Sequence, residues 1–390
     1  MISTFGEVFE VDPKIKIAKN RDVPFIEMAD IEPWARTVGS KRTKKFAGGS
    51  KFLDGDVLVA RITPSLENGK TSIYRASKSA KSAPAGGSTE FIVVRGIAGR
   101  SLSEFAYYLL RTADLRSHLI ANMNGSSGRQ RVQADALRNY VVDLPSIDEQ
   151  RRIAGVLGAL DDKIESNQNL AEVIPSLIDA QIHHALSDGS GDSIPVSKLA
   201  KFVNGGAYTK EASGTGRMVI RIADLNTGPG ASTIYNDIDV PDDRLAHFGD
   251  LLMSWSGSLG VYVWVREEAI VNQHIFKVIF TDFPAWLVHN RLNVALHNFR
   301  AIAADKATTM GHIQRKHLDE TFVEVPNAKL EQLNHLCVPL WNRFISAQLE
   351  SMRLAELRDA LLPELMSGRM RVDKAGCLVS EALDEEVADV

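Results

Sequence analysis

The chain has 390 residues, of which 44% are hydrophobic and 24% are charged, with a formal net charge of −4. This composition is typical of globular proteins and leaves room for two or three domains. It excludes a membrane span, because no apolar run reaches about 18 residues, and the N-terminus has no signal-peptide pattern. Two cysteines are too few for a disulfide framework or a cysteine metal cluster, so we expect a cytoplasmic protein.

The charge is unevenly distributed along the chain. Residues 1–145 contain 22 Lys and Arg against 15 Asp and Glu, a net charge of +7. Residues 193–327 contain 13 against 14, and the remaining residues contain 10 against 20. The first segment is therefore suited to binding a polyanion. The second segment would need local basic clusters, such as Arg315 and Lys316, to do so. The acidic remainder is poorly suited to binding a polyanion.

A repeat runs through the chain. The stretch FIEMADI (25–31), predicted as a buried strand entering a turn, is matched 194 positions later by VIRIADL (219–225). At the same offset, Gly55-Asp56 and Gly249-Asp250 each precede an apolar strand pattern. A third match, ending at Pro145 and Pro326, has an offset of 181. Three matches in one order predict a duplicated domain whose second copy has shorter surface loops.

A long heptad pattern follows each copy. The apolar positions are Ile153, Leu157, Leu160, Ile164, Ala171, Ile174 and Ile178 after the first copy, and Leu330, Leu333, Cys337, Leu340, Phe344, Ala347, Leu354, Leu361 and Leu365 after the second. Asn167, Ser351 and Arg358 interrupt them and could set the register or mark a partner contact. Pro175 and Pro339 predict a kink or a late helix start.

The predicted fold is α+β, with two similar globular domains joined by two long antiparallel coiled-coil helices. The predicted boundaries are residues 1–145 for the first domain, 146–190 for the central helix, 191–327 for the second domain, 328–372 for the distal helix and 373–390 for an acidic tail.

No catalytic pattern is evident in the chain. The glycine-containing stretches GSSGRQR (125–131) and SGTGRMV (213–219) lack the lysine and the placement of a nucleotide phosphate loop. No Asn-Pro-Pro-Tyr-like loop of an amino-methyltransferase, His-Glu-x-x-His frame or Gly-x-Ser-x-Gly elbow occurs. We therefore predict a protein that is not an enzyme and holds no metal or cofactor.

Several longer stretches resemble one family. LDGDVLVARITPSLENGK (53–70) with GGSTEFIVV (86–94), and GDLLMSWSGSLG (249–260) with VNQHIFKV (271–278), resemble target-recognition domains of type I restriction–modification specificity subunits, the HsdS family. LPSIDEQRRIAGVLGALDDKI (144–164) and LRDALLPELMSGRMRV (357–372) are similar to that family's central and closing helical segments. VPNAKLEQLNHL (325–336) departs from the usual helix start because it lacks the proline-rich approach.

This resemblance implies a subunit that reads a bipartite site on double-stranded DNA, one domain per half-site, with the helices setting the spacer. It also implies two methyltransferase (modification) subunits, carrying S-adenosylmethionine, on the helices. Motor-nuclease (restriction) subunits that use ATP and Mg²⁺ would be further partners. The alternative from the residues alone is a coiled-coil scaffold that joins two protein-binding modules without touching DNA. A solitary methyltransferase is disfavoured by the missing cofactor motifs.

Two sets of candidate contact residues follow. The basic and polar candidates for DNA contact are Lys41, Arg42, Lys44, Lys45, Arg61, Lys70, Arg129, Gln130 and Arg131 in the first domain, and Arg217, Arg221, Trp255, Gln314, Arg315 and Lys316 in the second. Residues 41–45 could equally be a solvated loop, Trp255 a core residue, and Gln130 and Gln314 parts of a helix-start turn. The candidates for methyltransferase contact, on expected exposed helix faces, are Glu149, Gln150, Arg151, Asp161, Glu165, Glu331, Gln332 and Arg343.

Overall fold

A computed structural model of the chain describes residues 2–78, 80–81, 83–126, 128–305 and 311–384. The chain divides into two compact units, Met1–Lys163 with Leu354–Val390, and Ile164–Arg353. Both long helices pass through the boundary between these units, so each unit contains part of each helix. Within the described ranges, no helix is both long and apolar enough to cross a membrane.

The first unit begins with the first copy of the repeat, an α+β domain. Its strands and helices, in chain order, are β1 (Ile2–Thr4), α1 (Phe5–Val8), β2 (Phe9–Val11), β3 (Asp22–Ile26), β4 (Thr37–Val38), β5 (Thr43–Lys45), β6 (Ser50–Phe52), β7 (Val57–Ala60), β8 (Thr71–Tyr74), β9 (Ala85–Gly87), β10 (Phe91–Gly96), α2 (Ser103–Arg111), α3 (Ala113–Ala121), β11 (Met123–Asn124), β12 (Arg131–Val132), α4 (Ala134–Arg138) and β13 (Val141–Asp143).

Two sheets form this domain. One has the strand order β2-β10-β7-β8-β4 and the other β5-β3-β9-β6, and β1 pairs with β13 beside them. Strands β7 and β8 are buried along their whole length, and the core between the elements contains Phe52, Leu58 and Tyr74. Such continuous apolar runs indicate strands covered on both faces.

The second unit contains the second copy, and the two long helices and a final helix complete the chain. The elements are α5 (Ile147–Leu186), β14 (Asp192–Pro195), β15 (Ala200–Asn204), β16 (Arg217–Ile220), α6 (Ile222–Thr227), β17 (Ile234–Asn236), β18 (Leu245–Ala246), β19 (Leu251–Ser254), β20 (Gly260–Val263), β21 (Ala269–Val271), β22 (Ile275–Phe280), α7 (Ala285–Asp305), α8 (Arg315–Glu320), β23 (Phe322–Val325), α9 (Leu330–Met366) and α10 (Val372–Asp384).

The strand order of the second copy repeats that of the first. Its sheets are β15-β22-β19-β20 and β17-β16-β21-β18, with β14 paired to β23. In each copy the strand of the FIEMADI-like motif pairs in parallel with one neighbour, Ile26 opposite Gly87 and Ile220 opposite Val271. The copies differ in loops: ten residues (61–70) join β7 to β8, whereas five (255–259) join β19 to β20. The predicted duplication with shorter loops in the second copy is confirmed.

The Gly-Asp turns are built alike in both copies. Asp56 accepts a hydrogen bond from the Leu53 N–H (2.7 Å), and Asp250 accepts one from the His247 N–H (2.7 Å). Gly55 and Gly249 have φ of +88° and +86°, which favours glycine because it has no Cβ. This turn directs the chain into the central buried strand of each domain, which explains why the sequence keeps it.

The heptad positions form the buried seam of α5 and α9. In the second unit the helices are antiparallel, because Arg343 lies beside Asn167 (3.2 Å) whereas Lys329 reaches the Ala185 carbonyl (2.6 Å). The late starts are wrong, since α5 begins at Ile147 and α9 at Leu330 and both continue through their prolines, whereas the kinks given as the alternative stay a prediction. Each proline loses one backbone hydrogen bond, but burial of seam residues such as Ile174 and Ile178 supports the helix on either side.

The segment predicted as an acidic tail begins as an amphipathic helix, α10. Val372, Ala375 and Val379 of this helix are buried. Their spacing of three and four residues places them on one face. Residues 385–390 of the predicted tail lie outside the described residues.

A buried ion pair joins the two long helices within the first unit. Arg358 Nη1 of α9 lies 2.7 Å from Asp161 Oδ1 of α5, and both side chains are at least nine-tenths buried. The Tyr108 hydroxyl of α2 donates to the other oxygen of the same carboxylate (2.7 Å). Asp161 therefore connects both helices to the domain.

We expect Arg358→Met to lower the free energy of unfolding by about 3–5 kcal/mol, because it leaves the buried Asp161 carboxylate without its opposite charge. Asp161→Asn should cost less, since Arg358 keeps its pair with Asp359 (2.8 Å). Denaturant titration measures the change in the free energy of unfolding. The control is Arg369→Met, which breaks an exposed pair with Glu364 and should cost about 1 kcal/mol or less. Equal effects of the buried and exposed substitutions would contradict the role given to Asp161.

His289 of α7 lies among aromatic rings of α9. Its ring centroid is 5.0 Å from that of Trp341 and 5.7 Å from that of Phe344. Burial lowers the pKa of His289 to about 4, because the charged imidazolium loses its hydration there. The side chain is therefore neutral in the folded protein at pH 7.

The stability of the chain should fall as the pH is lowered from about 6.5 to about 4. In this window the unfolded chain protonates His289 and the folded chain does not, so protons favour unfolding by up to about 3 kcal/mol. Urea titrations at several pH values measure the slope. His289→Phe should flatten this slope relative to the unsubstituted chain, and an unchanged slope would show that other groups cause it.

Candidate functional site

The basic segment 41–45 ends in an edge strand. It was predicted as a mobile loop, and this is wrong because Thr43–Lys45 forms β5, which pairs antiparallel with β3. On one side of this strand Arg42 forms ion pairs with Asp30 (2.8 Å) and Glu27, and Lys44 pairs with Glu27. The hydrogen bond from Lys44 lowers the pKa of the exposed Glu27. Because side chains alternate along a strand, exposed Lys41 and Lys45 belong to the other side.

Three other basic candidates of the first domain hold its loops in place. Arg61 donates to the Val132 carbonyl (3.0 Å) and to Gln133 Oε1 (2.7 Å). Lys70 donates to the Met28 carbonyl (3.0 Å), and Arg131 forms a bidentate pair with Glu90. Arg61 therefore joins the start of the loop 61–70 to Val132 and Gln133, whereas Lys70 and Arg131 hold their own segments to Met28 and Glu90. Arg129 is exposed and Gln130 is half-buried in the loop 125–132.

The second domain places Trp255 where the first domain has Arg61. The Val132 N–H donates to the Arg61 carbonyl (2.9 Å), and the Ile313 N–H donates to the Trp255 carbonyl (3.0 Å) in the same way. The Trp255 indole is half-buried, donates to Asn204 Oδ1 (2.8 Å) and contacts the His274 ring edge-on. It is therefore anchored by polar and aromatic contacts at the surface and is not a closed core residue.

The same comparison corrects one pairing made from sequence. Gln314 was matched to Gln130, whereas the structural counterpart of Gln314 is Gln133, the residue before the corresponding helix. Gln314 is exposed at the start of α8, and its N–H donates to His317 Nδ1 (2.9 Å). The helix-start interpretation of Gln314 is confirmed.

The remaining candidates of the second domain fall into two groups. Arg217 is paired with Glu268, and Arg221 is paired with Asp224 (2.9 Å) at the start of α6. Arg315 and Lys316, the first residues of α8, are exposed.

Arg315 also lines a surface cavity of about 370 Å³ together with Lys198 and Lys201. Asp282 and Asp319 lie in the same wall. Lys198 and Lys201 were not among the candidates taken from the sequence, although they lie three residues apart in the stretch SKLAK.

Two residues expected on exposed helix faces are buried. Gln150 is fully buried: it accepts a hydrogen bond from the Leu102 N–H (3.1 Å) and donates to the carbonyls of Arg100 and Pro145 (both 3.0 Å). Asp161 is 4% exposed, and its carboxylate accepts hydrogen bonds from Tyr108 and Arg358. The expectation that either side chain is exposed is wrong, because both satisfy polar groups inside the fold.

The other helix candidates lie at or near the surface. Arg343 is half-buried beside Asn167 and Glu350, and Glu149 is half-buried and paired with Arg152. The exposed members are Arg151, Glu165, Glu331 and Gln332. Arg151 also lines a cavity together with Gly155 and Gly158 of α5.

The described part of the chain contains no group of three His, Cys, Asp or Glu side chains that could hold a metal ion. Cys337 is buried and Cys377 is exposed, and both are free thiols.

A family model described as the type I restriction modification DNA specificity domain matches residues 1–176. The chain is 28% identical over 162 residues to the type I restriction enzyme EcoEI specificity subunit of Escherichia coli, covering 40% of this chain. That match spans only about a quarter (27%) of the E. coli protein's own length. This chain is also 22% identical over 310 residues to the type I restriction enzyme MjaIX specificity subunit of Methanocaldococcus jannaschii, and the match covers 70% of both proteins.

A solved structure shares the fold along nearly the whole chain. The type I restriction-modification system S subunit from M. genitalium superposes with a TM-score of 0.52 at 14% identity, covering 94% of this chain and 95% of that one. At this identity the likeness shows the fold alone. The family model and the curated relatives together show that this chain is similar to type I restriction–modification specificity subunits.

Proposed function

We propose that this chain is the DNA-reading subunit of a type I restriction–modification complex, in which each domain binds one half of a bipartite site. The observation that carries this proposal is the duplication: two domains with one strand order, each followed by a long helix. A repeated reading domain suits a site with two separate specific segments. The helices would then set the distance between them.

The differences between the copies favour two different half-sites. Arg61 and Trp255 hold equivalent positions beside the loop that precedes α4 or α8. The loop that begins at this position has ten residues in one copy and five in the other. Base readout depends on side chains placed at a groove, so different loops on one scaffold give different specificities.

Among the sequence candidates, the cations that are exposed and form no ion pair in the described structure are the best suited to phosphate contact. They are Lys41, Lys45 and Arg129 in the first domain and Arg315 and Lys316 in the second. Phosphate contacts fix position and register, whereas base contacts specify. The paired residues Arg42, Lys44, Arg131, Arg217 and Arg221 would instead shape the loops.

The helices would recruit two methyltransferase subunits through Arg151, Glu165, Glu331, Gln332 and neighbouring surface. In this proposal the chain has no catalytic activity and no cofactor, and it acts in the cytoplasm. S-adenosylmethionine would be bound by the methyltransferase subunits, and ATP and Mg²⁺ by motor-nuclease subunits where these are present.

Replacing Lys41 and Lys45 with Gln should weaken DNA binding by the complex with its methyltransferase subunits. If both lysines contact phosphates, the slope of log K against log salt concentration should become shallower by about 2. Fluorescence anisotropy with a DNA duplex containing the site, at several salt concentrations, measures it.

The matched control is Arg42→Gln with Lys44→Gln, which removes the same charge from the other side of β5 and should leave the slope nearly unchanged. Equal slopes for both double variants and the unsubstituted chain would refute a phosphate role for Lys41 and Lys45. Complete absence of salt-sensitive DNA binding would favour the protein-binding scaffold.

Inserting one heptad after Leu170 in α5 and one after Leu340 in α9 should lengthen the recognised spacer. These positions oppose each other in the antiparallel pair, and seven residues preserve the seam while adding about 10 Å, or about three base pairs. Selection from a duplex library with fixed half-sites and random spacer lengths measures the change.

The control insertion places the same seven residues after Pro229, in an exposed loop of the second domain. It should leave the preferred spacer unchanged. A spacer that ignores the helix insertion, or half-sites that change with it, would rule out the helices as the element that sets the distance.

A further inference from the structure

A cavity of about 410 Å³ lies in the first unit, next to the loop 61–70, whose Glu67 carbonyl accepts a hydrogen bond from Arg116 in the cavity wall. Its walls include Trp34, Arg111 and Arg116 on one side and Leu362 and Pro363 of α9 on the other. Its volume falls in the range of pockets that bind small molecules, about 300–1,000 Å³. Neither the duplication nor the helix seam accounts for it.

Two arginines face this cavity without an acidic partner. Arg111 is 8% exposed, and its Nη1 donates to the Trp34 carbonyl (3.4 Å) and to the Tyr107 hydroxyl. Tyr107 stays neutral, since burial raises its pKa to about 12. Arg116 donates through Nη2 to the Glu67 carbonyl (2.8 Å), while its buried Nε has no hydrogen-bond partner among the described residues.

This arrangement is unfavourable for the unliganded protein. Burial and the neighbouring charge of Arg111 both lower the pKa of Arg116. A buried donor that lacks an acceptor also loses the hydrogen bond it made with water. A third guanidinium in the wall, Arg358, is already neutralised by Asp161 and Asp359. The positive charge of Arg111 and Arg116 therefore remains for an external anion.

The N-terminus of helix α3 lies at the same cavity. Thr112 precedes the helix, and its hydroxyl bonds back to the Leu109 carbonyl (2.8 Å) instead of capping the first turn. Thr112 and Ala113 both line the cavity. The first N–H groups of a helix and its dipole favour an anion, so the helix adds to the attraction of the two arginines.

The apolar residues of the cavity wall indicate that the ligand has an apolar part in addition to its anionic group. The Trp34 ring is 41% exposed, and the guanidinium carbons of Arg116 and Arg111 lie 4.7 and 5.3 Å from its centre. Trp34 has φ of +66°, a left-handed conformation that is costly for a residue with a side chain. Strain of this kind is retained where surrounding structure holds a side chain in place, often at a binding site.

We propose that this cavity binds a small organic phosphate of the size of a nucleoside monophosphate. The phosphoryl oxygens would accept hydrogen bonds from Arg111, Arg116 and the first turn of α3. The body of the ligand would lie against Trp34, Leu362 and Pro363. This site adjoins the loop 61–70, because Arg116 donates to the Glu67 carbonyl, but its ligand is proposed independently of DNA.

The test is thermal unfolding of the full chain with adenosine monophosphate, with inorganic phosphate, and with sodium chloride at matched ionic strength. Adenosine monophosphate should raise Tm with increasing concentration, because it binds only the folded state. It should do so at about tenfold lower concentration than inorganic phosphate, through the apolar wall. Equal shifts with chloride, or equal potency of the two phosphates, would overturn the proposal.

Arg116→Met separates binding from a structural role. Without ligand, its Tm should equal or exceed that of the unsubstituted chain, since an unsatisfied buried donor is removed, and the shift with adenosine monophosphate should disappear. Arg369→Met, an exposed control, should keep the shift. A lowered Tm with an intact shift would show that Arg116 is structural. The Tm shift is measured in the absence of DNA, so this proposal and the proposed DNA binding can fail independently.

Discussion

The carboxylate of Asp161 is the interaction on which the first unit depends. It lies next to the seam residue Leu160 of α5, at a position outside the heptad pattern, and it receives Arg358 from α9 and the Tyr108 hydroxyl from α2. A buried charge is tolerated only when hydrogen bonds and an opposite charge surround it. Helix register and domain docking are therefore coupled in this unit through one side chain. In the second unit the apolar seam and the Asn167–Arg343 contact hold the same two helices together.

The two copies of the domain share the turns and strand pairings that the fold requires, and they differ in their surface loops. Both copies keep the Gly-Asp turn, the parallel pairing beside the FIEMADI-like strand, and an aspartate that accepts the N–H before the following helical turn, Asp30 from Glu27 and Asp224 from Arg221. These features satisfy backbone groups wherever strands end, so they persist when surface residues change. The variable parts are the loops after the central strands, where Arg61 and Trp255 occupy one position.

The basic side chains of this protein fall into two groups: those paired with carboxylates and those that form no ion pair in the described structure. Many of the basic residues that a sequence marks as contacts are engaged by nearby carboxylates, as Arg42, Arg131, Arg217 and Arg221 are. Such exposed pairs contribute little stability, but they determine which cations remain to meet an anion. The same reasoning identifies Arg111 and Arg116, which no motif distinguished, because they are enclosed without an acid.

The sequence by itself determined the fold class, the repeat and the helix seam, because periodic burial and Gly-Asp turns are local properties that a linear pattern records. It also indicated the family through several long motifs. Only the tertiary structure decided that residues 41–45 end in an edge strand and that Gln150 and Asp161 are buried. Those outcomes depend on partners far along the chain, such as Leu102 for Gln150 and Arg358 for Asp161. Neither spacing nor composition specifies which distant groups a polar side chain will meet.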